Sequence, residues 1–240
     1  MNKFHDFFFN NKNTFLISKW HHYFEIYERH FKPFLDKNPK ILEIGTNEGG
    51  GAELLNYYFD NQCQIVTFDI NSKGSAVEKY PNIKFLNGDQ TDINFLNSIK
   101  EKYKTFDIII DDGSHVSNDQ KTTFKSLYYC LSDNGVYLIE DVHTSYWKNF
   151  NGGVKKETNF IEFTKKLIDK LNTWHWQEPF TKNDLLFCEN THSIHYYDSI
   201  VVFEKQKRLH KPICEWRSPK GIKTNQWDDN ANWKSNLKQD

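Results

Sequence analysis

The stretch from Lys40 to Phe59, KILEIGTNEGGGAELLNYYF, passes from a short apolar run through a cluster of glycines into a helical pattern. KILEIG reads as a strand buried on both faces, and GGGAELLNYYF as the helix that follows a glycine turn. Glycine at such a junction permits tight turning and close approach of the backbone to a ligand. The question is whether this strand–turn–helix unit stands alone or opens a series.

Outward from it, the same alternation continues. QIVTFDI (64–70), IKFLNGD (83–89), FDIIIDD (106–112) and GVYLIED (135–141) read as strands. INFLNSIKEKY (93–103), SNDQKTTFKSLYYCL (117–131) and ETNFIEFTKKLIDKLN (157–172) read as helices, the last with Phe160, Phe163, Leu167, Ile168 and Leu171 on or near one face. DNG (133–135) reads as a turn, and SIHYYDSIVVFEK (193–205) as two strand pieces joined at Asp198–Ser199. Alternating strands and helices predict an α/β domain: a doubly wound, mostly parallel sheet with helices on both faces and a last antiparallel strand. Residues 1–38 read as a helical segment with an aromatic face of Trp20, Tyr23, Phe24, Tyr27 and Phe31, limited by Pro33. The core of the α/β domain is expected over 39–205. Residues 206–240 turn polar, carry three tryptophans and read as an irregular tail that packs on the domain or on a neighbouring subunit.

The bulk numbers exclude several classes. A chain of 240 residues with 38% hydrophobic and 16% aromatic residues suits one domain with appendages. A net charge of -1 and a pI near 6.8 leave no basic footprint for nucleic acid and no polybasic membrane patch. Cys63, Cys130, Cys188 and Cys214 are far apart and form no CxxC, which reads as free thiols in a reducing compartment. No apolar run approaches the roughly 20 residues of a membrane span, and the N-terminus lacks a signal-peptide core. A cytoplasmic protein is expected, and the abundance of Asn, Lys, Phe and Ile associates with an AT-rich bacterial genome.

The strand ends carry the chemistry. Ligands of open parallel sheets bind beyond the carboxyl ends of the strands. Glu43, Gly45, Asn47 and Gly49 lie at the first such end, Asp69 at the second and Asp89 after the third. Asp69 suits the ribose hydroxyls of a nucleoside, and Asp89 its adenine. Two cofactors fit. A nicotinamide dinucleotide favours the fuller G-x-G-x-x-G, which Asn47 interrupts; S-adenosylmethionine has no phosphate and tolerates Asn47 and Glu48, while its sulfonium and ammonium suit Glu43.

Strand four ends in Asp111–Asp112 and strand five in Glu140–Asp141. If these strands are neighbours, several carboxylates face one crevice and cannot all ionise without compensation. Hard oxygen ligands with no cysteine nearby suit magnesium or manganese. The competing reading is that one acid of each pair caps the following helix or turn, with Asp111 either doing so or binding cofactor. His115, at a cofactor crevice, is the candidate general base, with His143 its competitor.

The segments ILEIGTNEGG, DDGSH, LIEDVHTSYW and IHYYDSIVVFEK resemble those of class I S-adenosylmethionine-dependent methyltransferases, over residues 18–205. The closer resemblance is to metal-dependent sugar O-methyltransferases of the mycinamicin VI-type macrolide-sugar and capsular heptose kinds. That resemblance implies a seven-stranded Rossmann-like methyltransferase sheet. It implies that an Asp-x-x-His pair supplies one metal ligand and the base, and a Glu-Asp pair two more ligands: Asp112 with His115, then Glu140 and Asp141. It also implies methyl transfer to a hydroxyl of a surface-polysaccharide or nucleotide-activated sugar, with Mg2+ (or Mn2+) chelating substrate oxygens. The macrolide enzymes carry a longer N-terminal region, so the acceptor and any homo-oligomer stay open. Alternatives are a catechol-type O-methyltransferase, a metal-independent N-methyltransferase and a nicotinamide dehydrogenase.

Overall fold

Successive residues of a strand face opposite sides of its sheet, so an apolar run without polar alternation must be covered on both sides. The computed structural model, which describes residues 3–12, 14–224 and 233–238, shows this for the strands just read. These are β1 (Lys40–Ile44), β2 (Gln64–Asp69), β3 (Ile83–Asn87), β4 (Phe106–Asp111), β5 (Leu131–Ile139), β6 (Thr191–Tyr196) and β7 (Val201–Lys205). They form one seven-stranded sheet in the order β3-β2-β1-β4-β5-β7-β6. β1 to β5 are parallel, and β7 runs antiparallel to both β5 and β6. The doubly wound, mostly parallel architecture expected from the sequence is the one that forms.

One face is covered by α1 (Lys3–Asn10), α2 (Tyr23–Phe31) and α3 (Gly50–Tyr58), the other by α4 (Ile93–Tyr103), α5 (Ser117–Leu127), α6 (Phe160–Leu171) and α7 (Lys182–Asn190). Ile41, Ile65, Ile108 and Leu138 pack with Phe4, Phe24, Tyr27, Phe31 and Tyr58 on the first face. Leu42, Val66, Ile109, Tyr137 and Phe203 pack with Leu96, Phe124, Leu127 and Phe160 on the second. Burying each such side chain contributes roughly 1.5–3 kcal/mol. Short polar residues fix the helix starts: Asp92 accepts from the amide of Asn94 at 2.8 Å, Asn159 from that of Glu162 at 2.7 Å, and Thr181 and Asp184 make a reciprocal capping box.

Several local expectations change. The N-terminal segment is helical only over Lys3–Asn10 and Tyr23–Phe31 and in a short 3-10 turn at Lys32–Phe34. Between the two helices, residues 14–20 are irregular chain. Trp20 lies in it, is 55% exposed and leaves the aromatic face, because the chain is not yet helical there. DNG does not separate helix from strand: β5 already begins at Leu131, and the triplet is an irregularity within it. Asn134 takes a left-handed φ of 67°, which asparagine tolerates. In the C-terminal segment Glu215–Ser218 and Gly221–Thr224 form an antiparallel hairpin, β8–β9, where irregular chain was expected. The Ser218-Pro-Lys-Gly221 sequence supplies its turn, Gly221 adopting φ 112°. Residues 225–232 and 239–240 of that segment, with Trp227, lie outside the described residues. Arg208 packs over the Trp174 ring at 4.8 Å and donates to the Cys188 carbonyl at 3.0 Å, so the start of the segment lies on the domain. Among the described residues, no helix is long and apolar enough to cross a membrane.

Candidate active site

The chain leaves β1 toward β2 and β3 on one side and returns to β4 and β5 on the other, so the carboxyl ends of β1 and β4 diverge around a crevice. A cavity of about 590 Å³ opens there. Gly45, Asn47, Asp69, Asp89, Asp112, His115 and Asp141 line it. Gly45 turns with φ 90°, and a Cβ there would stand 2.1 Å from the Asp112 carbonyl oxygen; the loop can pass β4 only as glycine. Gly49 caps α3 with φ 103° and backs the loop from outside the cavity lining.

Asp69 is held from both sides. Its carboxylate accepts the Asn47 amide at 2.9 Å and the Asn71 amide at 2.9 Å, which fixes its orientation at the rim. Asp89 accepts the amide and hydroxyl of Thr91 at 2.7 and 2.8 Å. Beside it, Gln90 accepts the Ser114 amide at 2.6 Å, while its buried Nε2 has no hydrogen-bond partner. An unpaired buried donor is costly, and at a cavity wall it fits an acceptor-bearing ligand.

Two acids read as cofactor contacts do not line this cavity. Glu43 is 2% exposed beneath the glycine turn, where Thr67 donates to it at 2.6 Å and its Oε1 would stand 2.1 Å from a Cβ at Gly51. Burial pushes its pKa up to about 8. Asp111 points to the opposite side of β4, fully buried under α5, where the Thr123 hydroxyl donates to it. Burial raises its pKa to about 7. The pleat explains the split at β4: adjacent residues point to opposite faces, so Asp112 reaches the crevice and Asp111 does not.

The carboxylate cluster assembles because β4 and β5 are neighbours. Asp111 pairs with Ile139, and the Glu140 amide donates to the Asp111 carbonyl at 2.9 Å. Asp112, His115 and Asp141 each place a ligand-type atom within 4.8 Å of the others. His115 Nε2 lies 3.6 Å from Asp141 Oδ2 and 3.9 Å from Asp112 Oδ1. Its backbone is left-handed, at φ 57°, and the Thr144 hydroxyl holds its carbonyl at 2.7 Å. Burial lowers the imidazole's pKa, against the pull of Asp141 and Glu140. His143 Nδ1 stands 3.8 Å from Asp141, but its ring packs against Trp20 and Trp147 and does not line the cavity.

Glu140 takes a different place. It is 1% exposed; Lys19 Nζ donates to its Oε2 at 2.7 Å, and the Tyr27 hydroxyl donates to its Oε1. Lys19 also donates to Asp112, and Tyr23 donates to Asp141 at 2.6 Å. Burial alone would lower the Lys19 pKa, yet the two carboxylates hold it above its ordinary value. Burial raises the pKa of Asp112 and of Glu140, and the Lys19 ammonium opposes both shifts. A second cavity of about 200 Å³, lined by Ser18, Lys19, Trp20, Tyr23, Glu140 and Asp141, adjoins this cluster. Ser18 and Asp141 line both cavities, so the two meet at the carboxylates.

Lys19, Tyr23, Tyr27 and Gln90 were not legible as site residues. Gln90 follows Asp89 directly and shares its strand end, a signal that was present. Lys19 lies in irregular chain, far in sequence from both of its partners, and no local pattern marks it.

The oxygen-rich donor set of Asp112, Glu140 and Asp141 fits a hard divalent cation, with Glu140 shared at present by Lys19 and Tyr27. The larger cavity, with a fixed carboxylate at one end and the unpaired Gln90 amide, fits a nucleoside.

Residues 19–200 match the family model described as a methyltransferase domain. The chain is 30% identical over 216 residues to demethylmacrocin O-methyltransferase of Streptomyces fradiae, covering 85% of this chain and 54% of that protein. It is 30% identical over 199 residues to mycinamicin VI 2''-O-methyltransferase of Micromonospora griseorubida, covering 79% of this chain and 49% of that protein. A solved methyltransferase of the mycinamycin biosynthetic pathway, in complex with Mg, SAH and mycinamycin VI, superposes with a TM-score of 0.72 at 28% identity, over 85% of this chain and 53% of that one. The chain thus spans about half the length of the curated relatives it matches.

Proposed function

The chain belongs to the class I S-adenosylmethionine-dependent methyltransferases, and from that premise we propose that it methylates a hydroxyl of a small sugar-bearing acceptor, free, nucleotide-linked or attached to a larger glycan. The observation that carries this reading is the meeting of two cavities at Asp141, with the His115 imidazole 3.6 Å from that carboxylate. One cavity has the size and polar edges for a nucleoside cofactor; the other is small, and the exposed ring of Trp20 at its wall suits the apolar face of a sugar.

S-adenosylmethionine would supply the methyl group, and magnesium or manganese would draw neighbouring acceptor oxygens together and lower the cost of an alkoxide. The chain's own residues do the rest. Asp69, oriented by Asn47 and Asn71, presents its remaining lone pairs to ribose hydroxyls. Gln90 offers its free amide to the base. Asp112, Glu140 and Asp141 hold the cation. His115 takes the acceptor's proton at Nε2, the nitrogen facing Asp112 and Asp141. The new bond joins the acceptor oxygen to the methyl carbon as the carbon–sulfur bond breaks, leaving S-adenosylhomocysteine. Positioning of oxygen against methyl contributes alongside, since both cavities open onto the same carboxylate.

A panel of nucleotide-sugars, rhamnosyl glycosides and catechols, incubated with methyl-labelled S-adenosylmethionine and magnesium and read by mass spectrometry, tests the proposal. Label in a sugar, abolished by chelator, is the expected result. Label in catechols alone, or full activity in chelator, overturns it.

A further inference from the structure

Away from that centre, at the far edge of the sheet, two imidazoles converge on a single carboxylate. We propose that His30, His195 and Glu204 form a second metal site, suited to zinc or a similar transition ion, that ties α2 to the β6–β7 edge. His30 is on α2, and β6 and β7 pair so that Ser193 faces Glu204 and His195 faces Val202. The three side chains therefore come from three regular elements, α2, β6 and β7, rather than from loops.

The spacing is that of ligands around one ion. His30 Nδ1 lies 3.0 Å from Glu204 Oε1, and His195 Nε2 lies 3.3 Å from Glu204 Oε2. One ligand atom from each residue lies within 4.8 Å of the other two. Zinc binds nitrogen and oxygen at about 2.0–2.2 Å, so two ligands of a tetrahedral ion stand roughly 3.3 Å apart. Closing the set needs only small side-chain movement.

The surroundings orient the donors. In the metal-free protein His30 Nδ1 donates to Glu204, and the Tyr197 hydroxyl, 2.9 Å from Nε2, can accept Nε2–H when an ion takes the place of the Nδ1 proton. Ser193 donates to Glu204 Oε2 at 2.7 Å and stands 2.9 Å from His195 Nε2, which makes it an outer support or a further oxygen ligand. His30 hydrogen bonding holds the Glu204 pKa down to about 2, so the carboxylate is charged at any working pH. His30 is 2% exposed, whereas the His195 and Glu204 side chains are about one-third exposed, which leaves an entry path and room for water. Two imidazoles and a carboxylate, with no cysteine among them, select borderline ions over magnesium. The site has a structural consequence as well. α2 also carries Tyr23 and Tyr27, which hydrogen-bond Asp141 and Glu140, so a staple at His30 steadies the helix that reaches the carboxylate centre.

Cobalt reports on such a site through its visible absorption. The full chain, stripped with chelator and then supplied with excess magnesium to hold the carboxylate centre, is titrated with cobalt. Intense bands of low-coordinate cobalt are expected, at one equivalent, and zinc should abolish them by displacement. His195→Ala and Glu204→Gln, at partly exposed positions where the fold tolerates change, should lose the bands. Tyr197→Phe should weaken binding about tenfold, and Asp112→Asn should leave it unchanged. Zinc should raise the melting temperature of the wild type and not that of His195→Ala. Absence of the bands in wild type, their survival in both His195→Ala and Glu204→Gln, or their loss in Asp112→Asn alone overturns the proposal. Methyl transfer is not measured, so the outcome is independent of the catalytic reading.

Discussion

Lys19 and Glu140 stand 2.7 Å apart, an ammonium and a carboxylate both almost fully buried and brought together from positions 121 residues apart in the chain. The same ammonium contacts Asp112. A lysine thus lies between two of the three acids proposed to hold a divalent cation, and the two cations compete for the same oxygens.

Lys19→Met is therefore expected to bind magnesium or manganese more tightly than wild type. It should also be less stable in chelator, by about 3 kcal/mol, the lower end of what breaking a buried pair costs, because the freed carboxylates can take up protons. Calorimetric titration with manganese and thermal melts with and without chelator measure both. Unchanged or weaker manganese binding would show that Lys19 and the metal do not share ligands.

Asp112→Asn and Asp141→Asn should abolish metal-dependent turnover while leaving S-adenosylhomocysteine binding within a few-fold of wild type. The motive is their common approach to His115 and to one another. Titration calorimetry with S-adenosylhomocysteine, run beside activity across a magnesium series, separates the two effects.

His115→Ala should lose activity by about 10²–10⁴-fold, the usual range for a general base, and His143→Ala should lose less. The base works as neutral imidazole, so the rate should rise with pH through its titration. Burial lowers this pKa, which moves the rising limb below the ordinary value of about 6.5. A pH–rate profile of kcat checks this; an unaltered acidic limb in His115→Ala would assign the proton to another group.

Asp69→Ala should weaken S-adenosylhomocysteine binding by about 1.5–3 kcal/mol, the worth of hydrogen bonds to a charged group. Part of the loss comes from releasing the Asn47 and Asn71 amides that Asp69 now fixes. Affinity unchanged in a folded variant would remove Asp69 from the cofactor site.

Glu43→Gln tests the buried acid beneath the glycine turn. Its folded pKa of about 8 lies above the unfolded value near 4.5, so the folded state holds the proton more firmly. The penalty of carrying Glu43 is absent below the unfolded pKa, grows as pH rises toward the folded pKa and levels off beyond it. The stability gain of Glu43→Gln over wild type should follow that course and reach a few kcal/mol at most. Denaturant melts at pH 5 and pH 8 (chosen to bracket the rise, about 4.5 to about 8) compare the two proteins. A pH-independent difference would mean that Glu43 is not protonated in the fold.

The sheet was legible because its evidence is local. β1, β2, β4 and β5 announce themselves as apolar runs, and a run buried on both faces admits few alternatives to a parallel sheet. The acids at the strand ends were legible for the same reason, since strand direction places them at one edge. What the strand pleat does to each acid was less so: Asp112 faces the crevice while its neighbour Asp111 is buried beneath α5.

The sequence by itself determined the succession of strands β1 to β7, the glycine junction at Gly45 and the pairs DD and ED that end β4 and β5. Only the tertiary structure decided which of those carboxylates meet, that Glu43 is buried below the cavity instead of lining it, and that Lys19 enters the cluster from irregular chain between two helices. The reason is physical. Apolar periodicity reports how each segment buries its own surface, whereas charge neutralisation inside a crevice is settled by packing between segments distant in sequence. Lys19 carries no local mark of its partners; it acquires them when α1 and α2 dock on the sheet and the chain between them is drawn across the ends of β4 and β5.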